Sequence, residues 1–243
     1  MNANPDHQRI LLDVADLDRR LAQTEHARKH PEQAARISEL AAQRNEQVRE
    51  LTVATGARDD ARSELARIES DVALAQQRKE RNAQRLTSVT NPKDAVALEH
   101  EIVSIERRLH SLEDTQLDAM GALEETEARL AAQQALVDAT TAEGQELTRQ
   151  AKAAVAAAEK EADNIRRDRE AITGGISPEL LADYDRRATR GIGAALLRAG
   201  TCGGCHMMLS STDMAQIRRL AADAIATCPE CGCILVRTEE SGL

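Results

Sequence analysis

The chain has 243 residues, 30% of them charged, and its formal net charge is −9 at pH 7. It contains no Phe or Trp and one tyrosine, so it lacks the aromatic residues that a large globular core or a base-stacking nucleic-acid surface would use. No stretch approaches the roughly 18 apolar residues of a membrane-spanning helix, and residues 1–6 lack a secretory signal. This composition favours long helices or a coiled coil in a cytoplasmic protein, with no membrane partner.

Apolar residues spaced alternately by four and three positions predict two long helical arms. The first arm begins with Ile10, Val14, Leu17 and Leu21, which form the a/d seam of a coiled coil. The register of the seam changes at Pro31, and a proline interrupts the hydrogen bonding of a helix. We therefore expect a kink or break near Pro31.

A turn signal at Asn91-Pro92 divides the periodic region into two halves of nearly equal length. Equal helices joined by a tight turn form an antiparallel hairpin. We predict a mainly α protein with a long antiparallel coiled-coil hairpin over residues 1–172, broken near Pro31 and turning near Pro92. Three facing pairs are expected: Val72 with Leu109, Leu51 with Leu130, and Leu17 with Ile165.

Residues 173–243 are predicted to form a separate small domain. Gly174-Gly175 can end the second arm, and Ser177-Pro178 can begin a short helix that contains Tyr184. Two short apolar runs at residues 193–197 and 234–236 have the length of strands. Residues 210–213 offer N-cap side chains for a further short helix between these strands.

Four cysteines in this domain form two C-x-x-C pairs, Cys202 with Cys205 and Cys228 with Cys231. Two residues between cysteines allow a tight turn to aim both thiolates at one metal, and two such turns complete the tetrahedron that Zn²⁺ prefers. In a reducing compartment, paired cysteines of this kind are metal ligands more often than disulfides. We predict one structural Zn²⁺ in a zinc ribbon.

Other roles of these thiols are less well supported. His206 completes a C-x-x-C-H haem-attachment motif, but no secretory segment precedes it, and a thioredoxin-like C-x-x-C would need a βαβ context. His206 directly follows Cys205 and is expected to be a polar neighbour of the site. Cys233 is expected to be a small buried residue that points away from the metal, with competition for the metal as the alternative.

Arginines are concentrated in the C-terminal domain and suggest a face that binds anions. Asp183, Asp185 and Asp223 dilute this charge, and some arginines could instead compensate the −2 charge of a tetrathiolate zinc site. The candidate residues for binding nucleic acid or a protein partner are Tyr184, Arg186, Arg187, Arg190, Arg218 and Arg219; Arg198 lies near them.

The order of these motifs resembles the bacterial C4-type zinc-ribbon coiled-coil proteins. The likeness covers the hairpin with its Asn-Pro-Lys-Asp-Ala turn at residues 91–95, the Pro-Glu-Leu-Leu segment at 178–181, and both C-x-x-C pairs. The resemblance implies four zinc-binding cysteines and a regulator or adaptor that binds RNA, an alternative sigma factor or secretion components. This chain departs from the pattern at Cys233, where members often carry Arg, and at Val236, where Tyr is common.

We predict a non-enzymatic adaptor or regulator that binds protein partners through its coiled coil and zinc ribbon. Four cysteines close the coordination sphere, and no phosphate-binding Walker loop is present. The alternatives are an RNA- or DNA-binding regulator that uses the arginines, and a scaffold without a regulated partner; homodimerisation along an exposed seam is left open. Loss of zinc is expected to unfold the ribbon and leave helical content nearly intact.

Overall fold

Five α-helices and four short β-strands follow one another along residues 1–243, all of which the computed structural model describes. None of the helices is both long enough and apolar enough to cross a membrane. The predicted mainly α fold with a small stranded C-terminal region is confirmed. The helices are α1 (Pro5–Lys29), α2 (Ala34–Ser88), α3 (Pro92–Thr173), α4 (Pro178–Ala188) and α5 (Ser211–Arg219); the strands are β1 (Ala194–Arg198), β2 (Thr201–Cys202), β3 (Ala226–Thr227) and β4 (Ile234–Val236).

Residues 35–148 form one compact unit, in which α2 pairs with the first part of α3. The pairing is antiparallel, because Arg36 near the start of α2 meets Glu143 at 2.9 Å. Nearer the turn, Lys79 meets Glu106, also at 2.9 Å. The predicted antiparallel coiled-coil hairpin is therefore confirmed.

The apolar seam of this hairpin is best developed near the turn. Ala75, Ile105 and Leu109 form a buried cluster, and Val72 and Leu112 pack against it. Val72 of α2 and Leu109 of α3 thus lie in one cluster, as their heptad positions predict.

The turn between the two arms lies at residues 89–91, since α2 ends at Ser88 and α3 begins at Pro92. The side chain of Asn91 accepts a hydrogen bond from the Lys93 N–H at 3.1 Å, and its carbonyl accepts one from Ala95 at 3.0 Å. Pro92 occupies the first helical position, where its fixed φ suits a helix and its missing N–H costs nothing. Asn91 and Pro92 together stop one helix and start the next.

Replacing Asn91 and Pro92 with alanines should remove both signals, because alanine continues a helix and offers no cap. We expect a fraction of the chains to form one continuous helix across the turn and to pair between molecules. Sedimentation velocity should then detect a larger, concentration-dependent species. The single variant Lys93→Ala, at an exposed position beside the turn, is the control and should sediment like the wild type. An unchanged hydrodynamic radius in the double variant would argue that the turn residues do not define the hairpin.

The other compact unit combines residues 1–34 with residues 149–243. Leu11 and Val14 of α1 are fully buried in one cluster with Leu180 of α4 and with Ile234 and Val236 of β4. The domain boundary predicted at residue 173 assigned α1 to the coiled coil, whereas in the structure α1 packs against the stranded region. Heptad spacing shows which face of α1 is apolar, but the same face suits a helix partner or a sheet.

The first residues of the chain are also joined to the stranded region. Asn2 forms an antiparallel bridge with Ala224, and the Ala3 N–H donates to the Asp223 carbonyl at 2.7 Å. Gln8 is buried, and its Nε2 donates to the carbonyls of Ala3 at 2.9 Å and Asp223 at 3.2 Å. These bonds satisfy a buried amide that would otherwise cost about 1–3 kcal/mol. The N-terminal segment is therefore part of the C-terminal unit.

The four strands form one sheet in the order β2-β1-β4-β3. β1 runs antiparallel to β2 and parallel to β4, and β3 runs antiparallel to β4. Successive side chains of a strand point to opposite faces, so Ile234 and Val236 join the cluster under α1 while Leu235 joins a second cluster. That second cluster contains three of the five cysteines, Cys202, Cys228 and Cys233.

Candidate metal centre

Four sulfur atoms meet at the end of the sheet. The Sγ atoms of Cys202, Cys205, Cys228 and Cys231 all lie within 4.8 Å of one another. Cys202 is 3.9 Å from Cys231, and Cys205 is 3.8 Å from Cys228. A tetrahedral zinc with Zn–S bonds of about 2.3 Å requires sulfur separations of about 3.8 Å. The spacing of the four thiols matches that requirement.

The first C-x-x-C pair is held by a tight turn that begins in β2. The Cys202 N–H donates to the Met207 carbonyl at 3.0 Å, and the His206 N–H donates to the Cys202 carbonyl at 2.9 Å. The Gly204 N–H points at the Cys202 sulfur, 3.4 Å away. An amide N–H directed at a thiolate stabilises its negative charge.

The second C-x-x-C pair repeats this backbone pattern. The Cys228 N–H donates to the Cys233 carbonyl at 3.0 Å, and the Gly232 N–H donates to the Cys228 carbonyl at 3.0 Å. Gly232 has a positive φ of 75°, and His206 has a φ of 59° at the corresponding place in the first turn. His206 therefore occupies a left-handed turn position, which a non-glycine residue adopts at some cost, and the four-thiol group does not include it.

Gly203 in the first turn leaves no room for a side chain. Its N–H donates to the Leu196 carbonyl at 2.9 Å, and a Cβ at this position would lie 2.9 Å from the same oxygen. Glycine therefore allows the turn to dock closely on β1. Because β1 also pairs with β4, the metal site is anchored to the centre of the sheet.

The protein environment shifts the pKa values of two of these thiols in opposite directions. Burial raises the pKa of Cys228 to about 12. Burial also acts to raise the pKa of Cys231, but the Cys233 N–H and neighbouring thiols outweigh it and lower that pKa to about 7. A metal cation removes this conflict, because it stabilises all the thiolates at once and displaces their protons.

The donor set fits zinc on geometric and chemical grounds. Four thiolates in tetrahedral spacing are the usual ligands of a structural Zn²⁺, and they leave no coordination position open. When bound, the ion supplies positive charge that neutralises part of the thiolate charge and cross-links β2 to the residues after β3.

Family models match both parts of the chain. Residues 14–191 match the CT398-like coiled coil hairpin domain, and residues 201–235 match the C4-type zinc ribbon domain. The chain belongs to the CT398-like coiled-coil hairpin family. Its four-cysteine group is the zinc site of the ribbon and takes one structural Zn²⁺.

Similar proteins extend over almost the whole chain. The uncharacterized protein Rv2229c of Mycobacterium tuberculosis H37Rv is 32% identical over 241 residues, which cover 98% of each protein. A solved structure from Mycobacterium smegmatis aligns with a TM-score of 0.79 at 30% identity and covers 98% of this chain and 100% of that one.

More distant members share the fold. CT398 from Chlamydia trachomatis aligns with a TM-score of 0.57 at 16% identity, over 95% of this chain and 97% of that one. HP0958 from Helicobacter pylori aligns with a TM-score of 0.50 at 14% identity, over 97% and 98%. The resemblance inferred from the motifs is therefore confirmed.

Cys233 is buried, as expected, but its side chain does not point away from the site. Its Sγ lies 3.6 Å from the Sγ of Cys202. The expectation was wrong because it rested on turn spacing alone, whereas Cys233 directly precedes β4 and follows the side-chain alternation of that strand. It faces the same side as Leu235, into the cluster that holds the metal ligands.

Tyr184 is 1% exposed, which removes it from the predicted partner-binding surface. Its hydroxyl donates to Asp18 at 2.8 Å, and Asp18 also pairs with Arg169 at 2.6 Å. Arg169 reaches Asp185 at 2.6 Å as well. Burial and the Asp18 carboxylate raise the pKa of Tyr184 well above its usual value. Tyr184 therefore joins α4 to α1, and no local sequence pattern points to its partners Asp18 and Arg169.

Two of the candidate arginines are engaged by one buried carboxylate. Arg186 and Arg187 both pair with Asp183, the latter at 2.9 Å. Burial acts to raise the pKa of Asp183, but hydrogen bonds from Arg187 and Arg186 outweigh it, so that pKa lies below its usual value. Arg187 also donates to the Gly232 carbonyl at 2.5 Å, beside the second cysteine pair. Arg187 thus supports the metal site from α4.

The remaining candidates are exposed and do not form one surface through shared contacts. Arg190 follows the end of α4, whereas Arg218 and Arg219 lie in the last turn of α5. Arg218 donates to the Gly242 carbonyl at 3.3 Å. Arg198, nearby on β1, pairs with Glu240 at 3.1 Å.

Arg237 has a structural role that the sequence analysis missed. It directly follows β4, and its guanidinium donates to four carbonyls after α5, at distances of 2.6 to 3.1 Å. Free carbonyls at a helix C-terminus favour a cation there. Arg237 therefore fastens the segment between the two cysteine pairs to the sheet; the carbonyls are those of Leu220, Ala221, Ala222 and Ala224.

Proposed function

We propose that this protein is a non-enzymatic adaptor that binds protein partners through its coiled-coil hairpin, with the zinc ribbon as a second interaction surface. A closed four-cysteine site supports the non-enzymatic part, because it offers no open position to a substrate. Partners in the transcription or secretion machinery, and a cytoplasmic location, are part of the proposal on the basis of the motif resemblance and of the C-x-x-C pairs, which suit metal binding in a reducing compartment.

The observation that carries the proposal is an exposed stripe on α3, in which apolar residues occupy three of four successive heptad positions and His110 occupies the other. Val96, Val103 and Leu117 are spaced by seven and fourteen residues, and all three are exposed, Leu117 at 67%. Residues seven apart lie on nearly the same side of a helix, and Met120, exposed too, lies one turn beyond Leu117. Since these residues do not fill the seam toward α2, they provide a surface for another molecule.

Acidic residues border one side of this stripe, and Lys93 and Arg107 lie on the other side. Glu99, Glu106 and Glu113 are exposed and lie on the adjacent positions of the same helix. Glu106 also pairs with Lys79 of α2. An amphipathic helix with lysine or arginine beside its apolar face would match both the apolar and the acidic residues. We call this surface the α3 stripe; it consists of Val96, Val103, Leu117, Met120 and the three glutamates.

The arginines give weaker support to an RNA- or DNA-binding role. Arg186, Arg187 and Arg198 are paired with carboxylates, and the chain as a whole is acidic. Phosphate binding depends on free cationic groups and weakens steeply with salt. Protein binding through the α3 stripe is therefore the better supported function.

Site-specific photocross-linking in living cells tests the proposal. A photoreactive amino acid at Val103 or Leu117 should yield discrete protein adducts, because a bound helix would lie within reach of both positions. Ser111 is the matched control, since it is exposed on the same helix but lies about 100° around from the stripe. Equal adducts at Ser111 and Val103, or none at either stripe position, would overturn the proposal.

A titration with RNA tests the alternative function, which is binding of RNA or DNA. Purified protein with one zinc is titrated with a mixed cellular RNA pool at two salt concentrations. Salt-sensitive binding that is lost when Arg218 and Arg219 are replaced by alanine would favour the nucleic-acid role. We expect no such binding.

A further inference from the structure

A fifth thiol lies against the zinc ligands. Cys233 is fully buried, and its Sγ is 3.6 Å from the Sγ of Cys202. The ligand Cys231 is slightly farther from Cys202, at 3.9 Å. Two sulfurs bound to one tetrahedral zinc are about 3.8 Å apart. The Sγ atoms of Cys233 and Cys231 both lie close to that distance from the Sγ of Cys202.

The backbone holds the Cys233 thiol in this place. Its carbonyl accepts a hydrogen bond from the Cys228 N–H at 3.0 Å, and the next residue, Ile234, pairs with Ala194 in the sheet. Strand alternation then directs Cys233 to the same side as Leu235, where Cys202 and Cys228 are also buried. The strand pairing therefore keeps this thiol on the side of the sheet that holds the zinc ligands.

The four zinc ligands differ in their exposure to solvent. Cys202 and Cys228 are buried and Cys205 is half-buried, but Cys231 is exposed to solvent. Cys231 is consequently the ligand most open to alkylation or other modification. It is also the ligand whose loss would leave Cys233 as the nearest replacement next to Cys202.

We propose that Cys233 is a reserve zinc ligand, which completes the site with Cys202, Cys205 and Cys228 when the thiolate of Cys231 is not available. One zinc–sulfur bond then replaces another, and the proton that Cys233 gives up passes to the solvent. The number of thiolates and the charge of the site are unchanged. The ribbon thereby keeps its metal when its exposed ligand is modified.

Metal binding by serine and alanine variants of the full-length chain tests this role. Cys231→Ser should still bind one zinc, with affinity lowered by no more than about 100-fold in competition with a chromophoric chelator. Cys205→Ser is the matched control, because no fifth thiol lies against Cys205; it should lose at least a further ~100-fold. The double variant Cys231→Ser with Cys233→Ala should resemble Cys205→Ser, and Cys233→Ala alone should resemble the wild type.

Cobalt substitution reports the ligands directly, because the sulfur-to-cobalt charge-transfer band grows with the number of bound thiolates. Cys231→Ser should give the band of four thiolates, and the double variant that of three or fewer. Equal affinity and equal spectra for Cys231→Ser and the double variant would overturn the proposal.

Alkylation of the folded protein provides a test that does not depend on a variant at Cys231. Zinc-loaded wild type and Cys233→Ala are treated with iodoacetamide, and native mass spectrometry follows the species alkylated once, at Cys231. The wild type should keep its zinc after this modification, and Cys233→Ala should release it. Release of zinc from both proteins, or retention by both, would show that Cys233 does not act as a ligand.

Discussion

Replacing Asp18 with alanine should lower the free energy of unfolding of the unit formed by residues 1–34 and 149–243 by about 2–4 kcal/mol. Asp18 accepts hydrogen bonds from Arg169 at 2.6 Å and from the buried Tyr184 hydroxyl at 2.8 Å. Without the Asp18 carboxylate, the buried Tyr184 hydroxyl no longer has this hydrogen-bond acceptor. The magnitude is below that of a fully buried ion pair, because Asp18 and Arg169 each keep about a quarter of their side-chain exposure. Urea unfolding followed by circular dichroism measures the loss.

Asp16→Ala is the matched control for this variant. Asp16 lies two residues earlier on α1 and pairs with Arg19, but both side chains are at least half exposed. Exposed pairs of this kind contribute roughly 0–1 kcal/mol. Similar destabilisation by Asp16→Ala and Asp18→Ala would contradict the proposed role of the Asp18 junction.

Tyr184 provides a second measurement of the same substitution. It is the only tyrosine in a chain without tryptophan, so ultraviolet absorbance follows its ionisation alone. Its pKa is raised in the folded chain, first by burial and then by Asp18. This raised pKa stabilises the folded chain fully at any pH below the pKa of tyrosine in the unfolded chain, which is about 10. The stabilisation is lost as the pH rises toward the pKa of Tyr184 in the folded chain. Removal of Asp18 should let tyrosinate appear at lower pH than in the wild type.

Replacing Cys228 with serine should abolish high-affinity zinc binding and unfold the ribbon, since metal binding supplies much of the folding free energy of a small zinc domain. Cys228 is buried in the cluster that also contains Leu235 of β4. The preceding residue of β4, Ile234, is packed with Leu11 of α1 on the other face. Loss of the sheet would therefore expose the apolar face of α1.

Hydrogen exchange read by mass spectrometry distinguishes the affected segments. Amides of α1 should exchange at least about ten times faster in Cys228→Ser than in the wild type, because tertiary packing provides most of the stability of a surface helix. Amides within residues 35–148 should exchange as in the wild type. Full protection of α1 in the zinc-free variant would contradict this coupling, and Cys233→Ala, which keeps all four ligands, is the control.

This expectation differs from the one that the sequence supports. From sequence, α1 is one more segment of a coiled coil, so zinc loss should leave the helical content intact. In the structure, Leu11 and Val14 are buried with Ile234 and Val236 of the sheet. The difference arises because an apolar stripe on a helix specifies that it needs a partner and does not specify which element covers it.

The sequence by itself determined the hairpin and the zinc site, because both depend on local spacing. Heptads on either side of Asn91-Pro92 specify two helices and a turn, and two C-x-x-C pairs specify tetrahedral thiolate ligation. Only the tertiary structure decided which residues meet across long separations. The burial of Tyr184 on Asp18 and the approach of Cys233 to Cys202 result from packing between segments distant in the chain. Such contacts depend on the three-dimensional path of the backbone, and no pattern of neighbouring residues encodes them.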